Sequence, residues 1–201
     1  FFPGLKTPVF AYKGREGTAC ETPPSFPGPT FLSRNGEPTV VRYDNKTSVE
    51  TSPHLHGDHG PAHSDGYPDF YTLQGKKRDY YYPNIAPRQN ATPDVAFPAT
   101  VEEAGEFDVS HVPTTMWIHD HAMDVTGYNV TRGLAGFYLV YDKREEYLAE
   151  KKVIPQPGGK YDIGLAIRDE RFNADGTVFI FSRLSRVVPA ALVAIDTSRF
   201  A

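Results

Sequence analysis

Short apolar stretches separated by turn residues constrain the fold of this chain more than any other feature. Turn signals such as Asn35-Gly36 and Gly158-Gly159 lie between them. Long helical periodicity is scarce, and the 201 residues include 18 prolines and 17 glycines. This pattern favours an all-β fold, either a β-sandwich or a barrel. The stretches rich in β-branched and aromatic side chains are residues 7–12, 39–43, 79–82, 114–118, 134–141, 161–168 and 178–181.

Two histidine pairs, His54-Leu55-His56 and His119-Asp120-His121, carry the chemistry of the sequence. Residues two apart in a β-strand point to the same face, so each pair would present both imidazoles together. One such pair alone is more often a surface pair or a buried core pair than a metal site. Two pairs on neighbouring strands would offer four neutral nitrogen donors, which suit copper above other metals.

The spacing within each pair bears on how many ions the patch would hold. Same-face residues two apart are separated by roughly 6.6 Å along a strand. Two nitrogens on one ion need to lie roughly 3 Å apart, because metal–nitrogen bonds are about 2.0 Å long. Rings on one strand therefore serve two adjacent metals more easily than they chelate one, which indicates a multinuclear site.

The residues around both pairs resemble the multicopper oxidase family. Residues 54–66 (HLHGDHGPAHSDG) resemble its first copper motif, and residues 117–140, which begin WIHDHAM, resemble the second. Residues 25–30 and 80–84 also match the branch of spore-coat laccases, bilirubin oxidases and phenoxazinone synthases. The resemblance runs from about residue 24 to residue 180. It implies a cupredoxin-like Greek-key β-sandwich or barrel.

The resemblance also implies a role for each histidine. It makes His54 a ligand of the type 2 copper, with His56 and His119 sharing one type 3 copper and His121 binding the other. Asp65 falls where the family has a carboxylate that helps to deliver protons as dioxygen becomes water. From the Ser-Asp-Gly sequence alone, Asp65 is equally well interpreted as a turn residue.

Three residues near the second pair carry further expectations. Asp120 alternates with the histidines and should face away from the metals. Trp117 is interpreted either as packing beneath the cluster or as an ordinary core residue. Asn129 is the acceptor of an N-x-[ST] sequon, and its closeness to the histidines predicts that it carries no glycan.

The sequence departs from the family at its other copper ligands. Neither the later H-x-x-H-x-H motif nor the His-Cys-His motif of the type 1 copper is present, and Cys20, the single cysteine, has no histidine neighbour. We therefore expect half of the cluster and no oxidase activity from this chain alone. The parent enzyme would use dioxygen and a phenolic or pigment donor. The missing ligands would come from a C-terminal cupredoxin domain or from a partner chain.

The predicted organisation is an N-terminal cupredoxin domain at residues 1–150, a linker at 151–160 and an incomplete start of a second cupredoxin domain at 161–201. Residues 92–112, which are acidic and polar, are predicted to form an inserted loop. This organisation is expected of a fragment or the product of a truncated gene. Two alternatives stay open, a copper-binding module without catalysis and a subunit that needs a separate chain.

Charge and hydropathy exclude other classes of partner. The net charge is −4 and the 21 Lys and Arg residues are scattered, which argues against nucleic acid. The longest apolar run, residues 187–195, is too short and too broken by proline to span a bilayer. Three sequons, at Asn45, Asn90 and Asn129, favour a secreted protein. The start without methionine is expected of a chain that has lost a leading segment, such as a signal peptide, or of a fragment.

Overall fold

The computed structural model describes residues 3–85 and 114–180. Strands dominate these residues, with two short helices and one 3-10 turn, which confirms the all-β prediction. The strands are β1 Gly28–Arg34, β2 Thr39–Asp44, β3 Pro53–His56, β4 Lys77–Tyr82, β5 Thr114–Asp120 and β6 Ala135–Tyr141; the helices are α1 Thr126–Thr131 and α2 Lys143–Glu150, and the 3-10 turn is Ala62–Ser64.

The strands form a four-stranded sheet in the order β1-β6-β5-β3 and a two-stranded sheet of β2 and β4. Strand β1 runs parallel to β6, and every other pair is antiparallel. The β3–β5 pair sets His54 directly opposite His119 and His56 opposite Trp117. His54, His56 and His119 therefore lie on neighbouring strands of one sheet, and His121 directly follows β5.

The inner faces of the two sheets enclose an aromatic core. Tyr82 and Tyr138 are fully buried there, and the Tyr138 hydroxyl donates a 2.7 Å hydrogen bond to Oδ1 of Asn84. Burying one large apolar side chain contributes about 1.5–3 kcal/mol, so this cluster stabilises the packing of the two sheets. Its members are Leu55, Tyr80, Tyr82, Met116, Ile118, Tyr138 and Val140.

Several predicted strands differ from the observed ones. The stretches at 39–43, 79–82, 114–118 and 134–141 do form strands. Residues 7–12 bury Val9 and Phe10 but form no strand, and the Phe10 N–H instead donates to the carbonyl of Arg132. Residues 161–168 also form no strand, and Ile167 is 98% exposed. An alternation of apolar residues does not by itself supply a neighbouring strand to pair with.

The charge-dense stretch after β6 forms α2, whose N-cap Asp142 accepts a hydrogen bond from the Glu145 N–H. Beyond it, residues 173–176 form a turn between bridged Phe172 and Val178. Thr7 Oγ1 donates a 2.8 Å hydrogen bond to the Gly176 carbonyl, so this stretch contacts the first part of the chain. The proposed division into residues 1–150, 151–160 and 161–201 stays a prediction.

Two predicted regions, the loop at 92–112 and the end of the second domain at 181–201, lie outside the described residues. Neither α1 nor α2 has the length and apolar character of a bilayer-crossing helix, and the same holds for the rest of the described chain.

Candidate metal centre

Four imidazoles project from the outer face of the four-stranded sheet. On β3, Leu55 points into the core and His54 and His56 point out, because side chains alternate along a strand. On β5, Ile118 points into the core and His119 points out. His121 directly follows β5, and its N–H donates a 2.9 Å hydrogen bond to the carbonyl of Ser52 just before β3.

The four rings lie close together on this face. Ring-centroid distances are 5.5 Å for His54–His56, 5.2 Å for His54–His119 and 5.3 Å for His54–His121. They are 5.4 Å for His56–His119 and 5.7 Å for His119–His121. We call these four rings the histidine patch.

One distance between two imidazole nitrogens of the patch matches the spacing of two ligands on a single metal ion. Nδ1 of His56 lies 3.2 Å from Nε2 of His119. Two nitrogens each about 2.0–2.1 Å from one tetrahedral ion are roughly 3.3 Å apart. One ligand nitrogen from each of His54, His56 and His119 lies within 4.8 Å of the others. The patch therefore fits late first-row metal ions without rearrangement of the strands.

Hydrogen bonds to backbone carbonyls orient two of the rings. Nδ1 of His54 donates to the carbonyl of Asp65, and Nδ1 of His119 donates to the carbonyl of Asp120 at 2.8 Å. Each bond assigns the proton to Nδ1 and leaves the Nε2 lone pair free, the arrangement usual for metal-binding histidine. Nδ1 of His121 is buried and makes no hydrogen bond to any described residue.

His119 is held in its neutral form. The pKa of its imidazole is lowered to about 4, mainly by burial and also by the neighbouring imidazoles, although the hydrogen bond to the Asp120 carbonyl opposes this shift. Metals bind the deprotonated imidazole nitrogen. At neutral pH, His119 therefore needs to lose no proton before it coordinates an ion.

Asp65 lies beside His54 as well as at the end of the 3-10 turn. Its carbonyl accepts the His54 hydrogen bond, and its Oδ1 lies 3.4 Å from His54 Nδ1. The side chain is 43% exposed. A Cβ on the next residue, Gly66, would lie 2.3 Å from the Pro53 carbonyl oxygen, so only glycine lets this loop approach β3 so closely. Asp65 thus lies in a turn and also close to His54, so the structure is compatible with both interpretations of this residue.

Asp58, in the same loop, has a property that the motif comparison did not reveal. The pKa of its carboxyl is raised to about 6, mainly by burial and also by the nearby charge of Asp65, while hydrogen bonds from backbone N–H groups oppose the shift. A carboxyl with such a pKa exchanges protons near neutral pH. Only the folded loop brings Asp58 near Asp65, so the sequence alone carries no signal for it.

Trp117 lies on the same face as the histidines and not in the core. Its ring stacks against His56 with the ring centroids 5.4 Å apart and lies tilted against His119 at 4.1 Å, and the residue is 38% exposed. The interpretation of Trp117 as an ordinary core residue is therefore wrong. Its indole forms one wall of the histidine patch.

Asp120 faces the opposite way, as the alternation predicts, and is fully buried. Its carboxylate accepts hydrogen bonds from the N–H groups of Ser52 and Ala122 and from the side-chain amide of Asn129. Asn129 is itself fully buried, with its Nδ2 also donating to the carbonyl of Glu50. We call this set, below the histidine patch, the Asp120 network.

The fold has a counterpart among known structures. The structure of the McoA multicopper oxidase from Aquifex aeolicus superposes with a TM-score of 0.65 over 89% of this chain and 32% of that protein, at 23% sequence identity. The fold is therefore the cupredoxin-like β-sandwich that the resemblance implied.

Sequence comparison defines the family. The family model described as multicopper oxidase matches residues 11–93. A bilirubin oxidase of Albifimbria verrucaria is 35% identical over 152 residues, which are 76% of this chain and 22% of the relative. A laccase of Bacillus stratosphericus is 34% identical over 179 residues, covering 79% of this chain and 31% of the relative. The chain belongs to the multicopper oxidase family, whose metal is copper, and it spans between about a fifth and a third of the length of these relatives.

Proposed function

We propose that this chain supplies four histidine ligands of a three-copper site. His54 binds the type 2 copper, His56 and His119 share one type 3 copper, and His121 binds the other. The observation that carries this proposal is the 3.2 Å approach of His56 Nδ1 to His119 Nε2, with a nitrogen of His54 within 4.8 Å of both. The Nε2 lone pair of His54 is free, which supports the role of His54 as the ligand of the type 2 copper.

The chain's own residues hold the ligands and handle protons. When bound, copper supplies the one-electron redox chemistry that links oxidation of a donor to reduction of dioxygen to water. Asp65 is half exposed and lies against His54, so its carboxylate takes a proton from solvent and passes it towards the patch. Asp58, whose pKa of about 6 comes mainly from burial, is placed to resupply that proton.

The whole protein, by analogy with the relatives, oxidises phenolic or pigment donors. This chain by itself has no cysteine beside the patch, so it lacks the type 1 copper that accepts electrons from the donor. The remaining ligands come from another cupredoxin domain or from a partner chain that covers the patch. We propose a secreted or extracytoplasmic location, although the acceptor amides of Asn45 and Asn129 are buried and hydrogen-bonded in the fold.

A second function, copper binding without turnover, is favoured by one observation. Three of the four histidines already have ligand nitrogens within 4.8 Å of one another in a single chain. Such a patch would hold copper without a second domain, as a storage or transfer module does.

Copper titration of the purified chain tests both functions. Trp117 is the only tryptophan, and its ring contacts two of the proposed ligands. Bound Cu²⁺ should therefore quench its fluorescence, with about one or two coppers per chain held by the imidazoles. The same sample is assayed for oxidation of a phenol, and we expect none.

Variants make this titration specific. His119→Ala should abolish most of the quenching, whereas His63→Ala, on an exposed residue outside the histidine patch, should leave it unchanged. Equal quenching in the wild type and His119→Ala would refute the site. Phenol turnover by the chain alone would refute the missing-ligand interpretation, and turnover only after a partner domain is added would exclude the storage module.

A further inference from the structure

We infer that Asp120 is a positioning residue that fixes the distance between the two histidine pairs. It does so from the buried side of the sheet, by binding the backbone next to each pair. This inference rests on the proposed copper site, since it concerns how the ligands of that site are held.

The two carboxylate oxygens of Asp120 accept hydrogen bonds from backbone that flanks the two histidine strands, before β3 and after β5. Oδ1 accepts a 2.7 Å hydrogen bond from the N–H of Ser52, two residues before His54. Oδ2 accepts a 3.1 Å hydrogen bond from the N–H of Ala122, the residue directly after His121. One rigid carboxylate thus connects the start of the first pair to the end of the second.

Asn129 fixes the orientation of that carboxylate. Its Nδ2 donates to Asp120 Oδ2 at 2.8 Å and to the Glu50 carbonyl at 2.9 Å. Both residues are fully buried, so bulk water does not reach these hydrogen bonds in the folded protein. A buried acceptor or donor that loses its partner bears the whole desolvation penalty, which makes this geometry costly to alter.

The consequence for the ligands follows from the strand geometry. His119 and Asp120 are neighbours on β5 and point to opposite faces, so the Asp120 network lies beneath the histidine patch. Ladder bonds hold His54 opposite His119, but His121 lies beyond the end of β5. The Ser52–Asp120–Ala122 connection acts together with the His121 N–H bond to the Ser52 carbonyl to fix this last ligand relative to the first.

The variant Asp120→Asn tests the inference because it keeps the shape and removes one acceptor oxygen. The NH2 of the new amide group is only a donor, so it cannot accept the hydrogen bond from the backbone N–H group that it would face. We expect the dissociation constant for Cu²⁺, followed by Trp117 fluorescence, to rise by about 10- to 100-fold, the range for residues that orient metal ligands. The electron paramagnetic resonance spectrum of the bound Cu²⁺ should also change, which a merely weaker fold would not cause.

Asn84→Asp is the matched control. Asn84 is also a buried amide whose Nδ2 donates to a carbonyl, that of Glu37, but it holds β4 and β6 and touches neither histidine pair. We expect it to lower the urea midpoint while leaving copper affinity and the spectrum unchanged. If Asp120→Asn does not fold, Asn129→Ala removes one hydrogen bond of the carboxylate and should give a smaller change of the same kind.

The outcomes separate this inference from the proposed function. Wild-type affinity and spectrum in a folded Asp120→Asn would overturn the positioning role, as would an equal loss in Asn84→Asp. Failure of the wild type to bind copper would overturn the proposed function instead. In that case the apo protein still tests the positioning role, through faster hydrogen exchange of the Ser52 and Ala122 amides and shifted imidazole resonances of His54 and His121 in Asp120→Asn.

Discussion

The two faces of strand β5 differ in almost every respect. The side chains that point inward are buried, and they belong to Met116, Ile118 and Asp120. The side chains of Trp117 and His119 point outward and form part of the histidine patch and its wall. The inward residues contact the opposite sheet and the Asp120 network, and the outward ones contact other rings around an open face. The even-numbered positions of this strand thus stabilise the fold, and its odd-numbered positions form part of the candidate metal site.

This division has a physical reason. A strand buried on one side is fixed in register by that side, since a slip of one residue would expose the core. The outward residues lie on a backbone that this packing already holds rigid, so they need few contacts of their own to be held in position. Substitutions on the two faces should therefore produce effects of different kinds.

The largest effect on stability should come from the inward face, at Ile118. Ile118→Ala should lower the free energy of unfolding by about 2–5 kcal/mol, because it removes buried surface and leaves a cavity. Urea denaturation measures this change. Ile118→Val should cost only about 0.5–1.5 kcal/mol, and copper affinity of either folded variant should match the wild type. A large affinity loss in Ile118→Val would show that the two faces are not separate.

A smaller effect, on binding and not on folding, is expected at Trp117. Trp117→Leu keeps an apolar side chain but removes ring stacking against His56 and His119. Stacked rings contribute about 0.5–1.5 kcal/mol beyond their area, so copper should bind roughly two- to tenfold more weakly. Calorimetric titration measures the affinity because the fluorophore is lost. A lower urea midpoint with unchanged affinity would assign Trp117 to the fold instead.

The smallest effect should come from the outer face of the two-stranded sheet. Arg42 there donates two 2.6 Å hydrogen bonds to the Asp79 carboxylate, but both side chains are well exposed. Water and salt screen exposed ion pairs strongly. Arg42→Ala should leave the urea midpoint within experimental error at physiological salt, and copper binding should not change. A measurable destabilisation that disappears at high salt would mean that this ion pair supports the β2–β4 pairing.

The strands of the sandwich could be predicted only where the pattern of side chains within the strand itself is typical of a strand. Residues 39–43 are recognisable because more and less exposed side chains alternate along β2, and residues 134–141 because aromatic and aliphatic side chains are concentrated in β6. Strand β1 was missed, because Pro27-Gly28-Pro29 resembles a turn and the strand depends on parallel pairing with distant β6. Residues 161–168 show the reverse case, in which the pattern is present but the paired strand is not.

The candidate site shows the same limit. The spacing of His54 and His56, and of His119 and His121, predicted that each pair shares a face, since that follows from strand geometry alone. The contact of Trp117 with His56, the closeness of Asp58 to Asp65 and the bonds of Asp120 to Ser52 depend on strands and loops that meet only in the fold. No periodicity within a single strand encodes them.

The sequence separation of these contacts has a consequence for how the molecule acquires its site. His56 meets His119 across 63 positions, and Ser52 meets Asp120 across 68. High contact order slows folding, because long loops must close before such contacts contribute stability. On a ribosome, β3 would emerge long before β5 and wait without its neighbour. The imidazoles therefore come together only when the sheet is complete, so metal uptake at the proposed site would be a late event that reports on finished folding.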